Sequence, residues 1–122
     1  MNNYIDGFVF PIPQKHLSAY QAVGQKVAAI WQEHGALAYC EYVGDDMHLQ
    51  GTQSFTQMVN ATADEVIVFG YVVFPSKEVR DLANQKVKND ARMNELVAPL
   101  VNPNNIIFNA QRMVFGGFKA LV

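Results

Sequence analysis

The sequence lacks a second cysteine, a run of basic residues and a long apolar stretch, and each absence excludes a class of protein. Cys40 is the single cysteine, so no internal disulfide can form, which is typical of a reducing compartment. No stretch of about 18 apolar residues occurs, which argues against a membrane-spanning helix. The start has no charged segment followed by an apolar one, so no secretory signal is expected. We therefore predict a cytoplasmic protein with no membrane partner.

The chain also has little excess of charge of either sign. The net charge is −2, and the nine lysines and arginines are scattered along the chain. Proteins that bind nucleic acid usually carry a basic excess or a basic stripe, because phosphate neutralisation drives their affinity. The composition therefore predicts no nucleic-acid partner.

The chain is rich in apolar residues. Of its 122 residues, 50% are hydrophobic and 16% are charged, which is enough to bury a core and is unlike a disordered chain. No repeat, linker or low-complexity segment interrupts it. We predict that residues 1–122 form one domain.

Hydrophobic periodicity predicts four strands and three helices. The strands are expected at 4–12, 36–43, 65–74 and 112–121, where β-branched and aromatic residues dominate. One helix is expected at 14–34 and ends before Gly35; a second follows Ser76 as its N-cap, and a third contains Met93 and Leu100. Residues 47–63 are read as an insertion, with a helical turn or two at 55–60.

The order β-α-β-β-α-β predicts an α+β fold of the ferredoxin-like plan, an antiparallel sheet with helices on one face. Its third strand, EVIVFGYVVF, is apolar at nearly every position. A strand of this kind is covered on both faces, yet one layer of helices covers only one. A second copy of the chain, pairing sheet to sheet in a homodimer, is the expected cover. The alternative is that the insertion at 47–63 folds over the sheet.

Several stretches together resemble a known family. They are YIDGFVFPIP at the start, HGAL and GDD around the second strand, FGYVVFPSKEVRDLANQKV and DARM in the middle, and RMVFGGF at the end. The chain resembles, over nearly its whole length, the bacterial YbaA-like family, numbered 1428 among the domains of unknown function. The resemblance implies a dimeric α+β barrel and brings no established activity. Departures from the family's usual residues, at positions 71, 74, 91 and 109–111, bear on ligand preference rather than fold.

Asp6 is the strongest single indication of a site, because it interrupts an apolar strand that should be central in the sheet. A buried carboxylate needs a partner or a raised pKa. Asp6 could be an acid, a base or a ligand anchor in a cavity beside the sheet. Alternatively it is a structural carboxylate paired with backbone amides or with an arginine, and an arginine would lower its pKa.

Tyr39 and Glu41 share one face of the second strand and give a second candidate group. Glu41 could face Asp6 across a cavity, or it could lie on an exposed edge of the sheet or at a dimer seam. Arg92 and Arg112 are the expected partners of these acids or of an anionic ligand, since arginine binds carboxylates in bidentate fashion. Arg80 and Asp81 are expected to be solvated or to pair between subunits.

No cofactor and no metal are predicted. Asp45, Asp46 and His48 lie close in sequence, but aspartates are common in turns for backbone reasons, and no second cluster completes a metal shell. Cys40 has no neighbour that would activate it. No histidine lies in a strand core, which argues against haem. Close backbone packing explains Gly116 and Gly117 better than a phosphate-binding loop does.

Two functions of different classes remain open. The first is a binder or a cofactor-free enzyme for a small apolar molecule, in a cavity between sheet and helices lined by Phe8, Phe10, Tyr39 and Tyr71. The second is a non-enzymatic homodimer whose apolar sheet face serves only for association. A deep cavity beside Asp6 favours the first function, and a filled core favours the second.

Overall fold

Four antiparallel strands form one sheet in a computed structural model that describes residues 3–122. The sheet order is β2-β3-β1-β4, so β1 and β3 are central. The strands are β1 (Tyr4–Pro13), β2 (Ala38–Val43), β3 (Glu65–Phe74) and β4 (Val114–Lys119). The helices are α1 (Leu17–Glu33), α2 (Phe55–Met58), α3 (Lys77–Lys88) and α4 (Ala91–Val97). The ferredoxin-like α+β prediction is confirmed.

Capping residues set the helix limits. The Ser76 side chain accepts a hydrogen bond from the Val79 backbone N–H, as predicted. Asp90 caps α4 in the same way. Gly35 follows the C-terminal end of α1 and turns the chain away from the helix. Its φ is 122°, a value that favours glycine. The first predicted helical turn is a 3-10 turn at Gln14–His16, so α1 begins three residues later than expected.

Strands β2 and β4 are shorter than predicted, also for local reasons. β2 begins at Ala38 because the preceding residues turn the chain, with the Ala36 N–H donating back to the Trp31 carbonyl at 3.0 Å. β4 begins at Val114 because Arg112 ends a 3-10 turn that the Asn109 side chain caps. The insertion contributes one helical turn, α2, held by a reciprocal capping box between Ser54 and Gln57.

The pairing of β1 with β3 decides which residues face the helices. Asp6 lies opposite Val72 and Phe8 lies opposite Gly70. Because side chains alternate along a strand, these residues share the face that α1 and α3 cover. Val72 packs there in one apolar cluster with Ala83 of α3. We call this side the helix face of the sheet.

The opposite side, which we call the open face, is only partly covered. Val9 and Ile67 pack against Val59 of the insertion, so the insertion covers one end. Elsewhere on this face large apolar side chains are exposed, with Tyr42 at 60% and Phe118 at 56%. This uncovered surface is the one for which the sequence predicts a second copy of the chain as the cover.

Within residues 3–122, no helix has both the length and the apolar character needed to cross a bilayer.

Candidate functional site

A cavity of about 310 Å³ lies between the helix face of the sheet and the helices. Its walls are mainly aromatic and aliphatic, and its polar groups are few. The aromatic side chains in the wall are Phe8, Phe10, Tyr20, Trp31, Tyr39, Phe108 and Phe115. Both candidate carboxylates, Asp6 and Glu41, line this same cavity. We call it the inner cavity.

Glu41 is held by two tyrosines from different elements. The Tyr20 hydroxyl, on α1, donates to Glu41 Oε1. The Tyr39 hydroxyl, two residues earlier on β2, donates to Glu41 Oε2 at 3.1 Å. Burial raises the pKa of Glu41, an effect that outweighs the lowering by the two hydrogen bonds. Burial, reinforced by the Glu41 charge, also raises the pKa of Tyr20 and of Tyr39, so both hydroxyls remain proton donors.

One glycine makes room for this arrangement, and a second lies beside it. A Cβ atom at Gly70, opposite Glu41 on β3, would lie 2.3 Å from the Phe8 ring, so only glycine lets that ring cross the strand. A Cβ atom at Gly24 of α1 would lie 3.4 Å from Glu41 Oε2. The helix therefore passes close above the carboxylate.

A second depression of about 310 Å³ lies on the outer side of Glu41, between α1 and the edge strand β2. Tyr20, Gly24, Tyr39 and Glu41 line both this groove and the inner cavity. The carboxylate and its tyrosines therefore form the partition between the two spaces.

Asp6 is paired with Arg80, for which the sequence predicts either a solvated position or a pair between subunits. Asp6 is only 3% exposed, and Arg80 Nε donates to Asp6 Oδ1 at 2.8 Å. The same guanidinium reaches Asp81 at 2.9 Å. A Cβ atom at Gly117 would lie 2.5 Å from Arg80 Nη2, so glycine on β4 makes space for the guanidinium.

The prediction that an arginine pairs with Asp6 is confirmed, but the arginine is Arg80 and not Arg92 or Arg112. The expected direction of the Asp6 pKa is also wrong. Burial raises the pKa of Asp6, and the hydrogen bond and charge of Arg80 only partly offset that rise. A single arginine that is shared with Asp81 does not replace the water that Asp6 loses.

The structure brings together three of the six predicted site residues. Asp6, Tyr39 and Glu41 share the inner cavity. The expectation that Glu41 lies on an exposed edge is wrong, because α1 covers that part of β2. Tyr71 does not line the cavity: it pairs with Gly7 and Cys40 on the open face.

The two arginines predicted as partners of these acids lie elsewhere. Arg112 binds Glu65 through both Nη atoms, at 2.6 and 2.9 Å, and its hydrogen bonds lower the pKa of Glu65 to about 2. Arg92 binds Asp90 and Glu33 on the surface. Their expected role as partners of Asp6 and Glu41 is wrong because those two carboxylates line the inner cavity, whose wall includes neither arginine.

Sequence reasoning missed Tyr20, Arg80 and Gly70. Tyr20 lies in the helix predicted at 14–34, but the sequence does not indicate a partner for its hydroxyl. A buried tyrosine hydroxyl usually finds one. Gly70 carried the clearer indication, since a glycine within an otherwise unbroken apolar strand marks a close approach by another group.

No group of three or more histidine, cysteine, aspartate or glutamate side chains in residues 3–122 is placed to hold a metal. Asp46 instead accepts a hydrogen bond from the His48 backbone N–H at 3.4 Å, a turn contact. Cys40 lies on the open face, away from the cavity.

The sheet order and the cavity define a ferredoxin-like α+β protein with a ligand-sized space between its sheet and its helices. The chain belongs to the family described as protein of unknown function DUF1428, which matches residues 3–108.

The uncharacterized protein YbaA is similar to this chain over almost its whole length. The proteins of that name from Escherichia coli K12 and Shigella flexneri are both 36% identical to it over 119 residues. The match covers 98% of this chain and 97% of each relative.

Two solved structures share the fold. Rv0793 from Mycobacterium tuberculosis matches with a TM-score of 0.54 and 12% identity, over 98% of this chain and 96% of that one. A NIPSNAP family protein of unknown function from Agrobacterium tumefaciens C58 matches with a TM-score of 0.58 and 12% identity, over 97% and 87%. At this identity the likeness shows the fold alone.

Glu41→Gln should change how stability depends on pH. A carboxyl whose folded-state pKa is raised contributes stability below its unfolded pKa of about 4.3, and this contribution is lost as pH rises through the folded pKa. Glutamine does not titrate. The melting temperature of Glu41→Gln minus that of wild type should therefore increase as the pH rises from about 4, just below the unfolded pKa, to about 8, well above it.

Thermal melts across that range check this expectation. Glu95→Gln, at an exposed position on α4, is the matched control and should give a flat difference. A difference for Glu41→Gln that decreases with pH would mean that the carboxylate is stabilised as an anion.

Arg80→Met should destabilise the protein by about 3 kcal/mol near neutral pH, because it leaves Asp6 buried without a cation. Adding Asp6→Asn should recover much of that loss, since the amide carries no charge. Asp81→Asn is the control: Asp81 has a side chain that is 55% exposed, and its loss should change stability by less than about 0.5 kcal/mol. Urea unfolding measures all four proteins. Equal costs for Arg80→Met and Asp81→Asn would show that the buried pair contributes little.

Proposed function

We propose that this protein binds a small, largely apolar molecule in the inner cavity, with Glu41 and its two tyrosines as the polar anchor. The observation that carries the proposal is the cavity of about 310 Å³. That volume lies within the range of known small-ligand sites, which are mostly apolar with a few placed polar groups. The aromatic walls and the few polar groups of the inner cavity have this character.

The energetic cost of the space supports the same proposal. Protein interiors are close-packed, and unfilled apolar volume reduces stability. The cavity also holds two carboxylates whose pKa values are raised by burial. Groups held at a stability cost are characteristic of functional sites.

A second copy of the chain is the proposed cover of the open face. Neighbouring strands align their open-face residues in three rows, and none of the twelve residues is charged. The rows are Ala38–Val73–Ile5–Phe118, Cys40–Tyr71–Gly7–Gly116 and Tyr42–Phe69–Val9–Val114. A large exposed apolar surface marks an interaction site, and an isologous pairing of two such faces would bury both.

The arginines support the expectation that nucleic acid does not bind. Arg80, Arg92 and Arg112 all form ion pairs with carboxylates of the same chain. Such paired cations have little charge left for phosphates. A cytoplasmic location remains part of the proposal, supported by the single cysteine.

Filling the inner cavity should abolish binding while the fold is kept. Trp31 lines the cavity and is the only tryptophan, so its fluorescence reports on occupancy. We expect at least one of 2-phenylethanol, 2-phenylethylamine and 3-phenylpropionate to change that fluorescence saturably. Val97→Phe, which places a ring in the cavity, should remove the response.

Val101→Phe is the matched control, because Val101 is 45% exposed and lies outside the cavity wall. It should bind as wild type does. Wild-type protein that responds to none of the three compounds, or Val97→Phe that binds as wild type does, would refute the proposed site.

A charge on the open face should separate the two copies. Tyr71→Lys should give a folded monomer, because Tyr71 faces away from the helices. Val72→Lys is the comparison: Val72 is 3% exposed on the helix face, so it should unfold the domain. Sedimentation equilibrium at micromolar concentration should give wild type twice the chain mass of 13.6 kDa. A wild-type mass of a single chain would refute the dimer.

A further inference from the structure

The two carboxylates of the inner cavity differ in how their charge is balanced. Asp6 pairs with Arg80 at 2.8 Å. Glu41 accepts hydrogen bonds from two tyrosine hydroxyls. Among residues 3–122, no lysine, arginine or histidine nitrogen forms an ion pair with it within 4.0 Å. The cavity therefore holds one carboxylate to which the described chain supplies no counterion.

The aromatic side chains are arranged around that carboxylate. Tyr39 lies against Phe8, with ring centroids 6.4 Å apart. Phe8 stacks on Phe10 at 6.0 Å, and Phe10 meets Tyr20 at 5.6 Å. The series begins and ends with the two tyrosines that bind Glu41. Four rings and one carboxylate thus form a continuous arc on the cavity wall.

An arc of this composition suits one chemical class of ligand. Ring faces carry negative electrostatic potential and attract ammonium groups, most strongly where water is excluded. A carboxylate beside them adds a charge-assisted hydrogen bond. We infer that the ligand of the inner cavity is an organic amine, with its ammonium group on Glu41 between these rings and its apolar body in the rest of the cavity.

The remaining groups of the cavity argue against other ligand classes. An anionic ligand would meet the Glu41 carboxylate without a free cation to offset it, because Arg80 is engaged by Asp6 and Asp81. A neutral alcohol could hydrogen-bond to Glu41 but would bring no charge. An ammonium group would supply the counterion that the carboxylate lacks, and so offset the cost of its burial.

The apolar body has a defined place to lie. Beyond the arc, the cavity wall is formed by aliphatic side chains of α1 and α4 and by the 3-10 turn that follows α4. They are Val23, Val27, Met93, Val97 and Leu100. A short hydrocarbon or phenyl group attached to the amine would remove this surface from water.

This inference rests on the proposed binding function, and three compounds of similar shape separate the two. Trp31 fluorescence, or calorimetry, gives the affinity of wild type for 2-phenylethylamine, 2-phenylethanol and 3-phenylpropionate near neutral pH. We expect the amine to bind about tenfold more tightly than the alcohol, a difference of about 1.4 kcal/mol, and the carboxylate to bind least. Equal binding of amine and alcohol would overturn the inference and leave the binding function standing; no binding at all would refute both.

Two variants test the position of the ammonium group. Glu41→Gln keeps the shape of the side chain and should reduce amine affinity to that of the alcohol. Glu95→Gln removes the same charge from the surface and should change nothing, which controls for net charge. If Glu41→Gln keeps the amine preference, the ammonium group lies elsewhere and the inference is wrong.

Phe10→Leu provides a measurement that does not depend on the folding of Glu41→Gln. Leucine retains an apolar wall but lacks the ring face. Amine affinity should fall several-fold more than alcohol affinity, because only the ammonium interacts with the ring quadrupole. An equal fall for both compounds would show that Phe10 acts through packing alone, and would count against the arc as a cation site.

Discussion

The ten-residue antiparallel pairing of β1 with β3 is the constraint on which the rest of the structure depends. It runs from Tyr4 opposite Phe74 to Pro13 opposite Glu65. A shift of one residue would exchange the two faces of the central strands. The Asp6 carboxylate would then leave Arg80, and Phe8 would lose the gap above Gly70. The register therefore fixes both the core and the candidate site.

The two faces of this sheet carry different chemistry. The helix face holds Asp6, which is buried, and Glu41, which is half-buried, each with specific partners, beside a space that side chains do not fill. The open face has uncharged rows and exposed aromatic side chains. A simple helix-covered sheet would need neither a buried carboxylate nor an apolar outer surface. This asymmetry is why we place ligand binding on one face and association on the other.

Glu41 illustrates how a site can cost stability. Its two tyrosines satisfy hydrogen bonds but cannot neutralise its charge, and burial raises its pKa. Asp6 sits deeper yet has an arginine. The cavity therefore has one carboxylate paired with a cation and one without, and a cationic ligand would supply the missing positive charge. The same reasoning explains why the stability of Glu41→Gln relative to wild type should depend on pH.

The sequence alone determined the order of elements, the fold class, the burial of Asp6 and the apolar character of β3 on both faces. These features follow from local periodicity and from the cost of burying a charge. It could not determine which side of β3 meets the helices, because apolar residues on both faces leave no polar residue to mark one of them. The sequence therefore predicts Tyr71 in the cavity, although it lies on the open face.

Only the tertiary structure decided the partners: Arg80 is 74 residues from Asp6 along the chain, and Tyr20 is 21 from Glu41. Periodicity tells which residues share a face of one element. How a helix is rotated and where it crosses the sheet depend on packing between distant segments, so they follow from the folded structure.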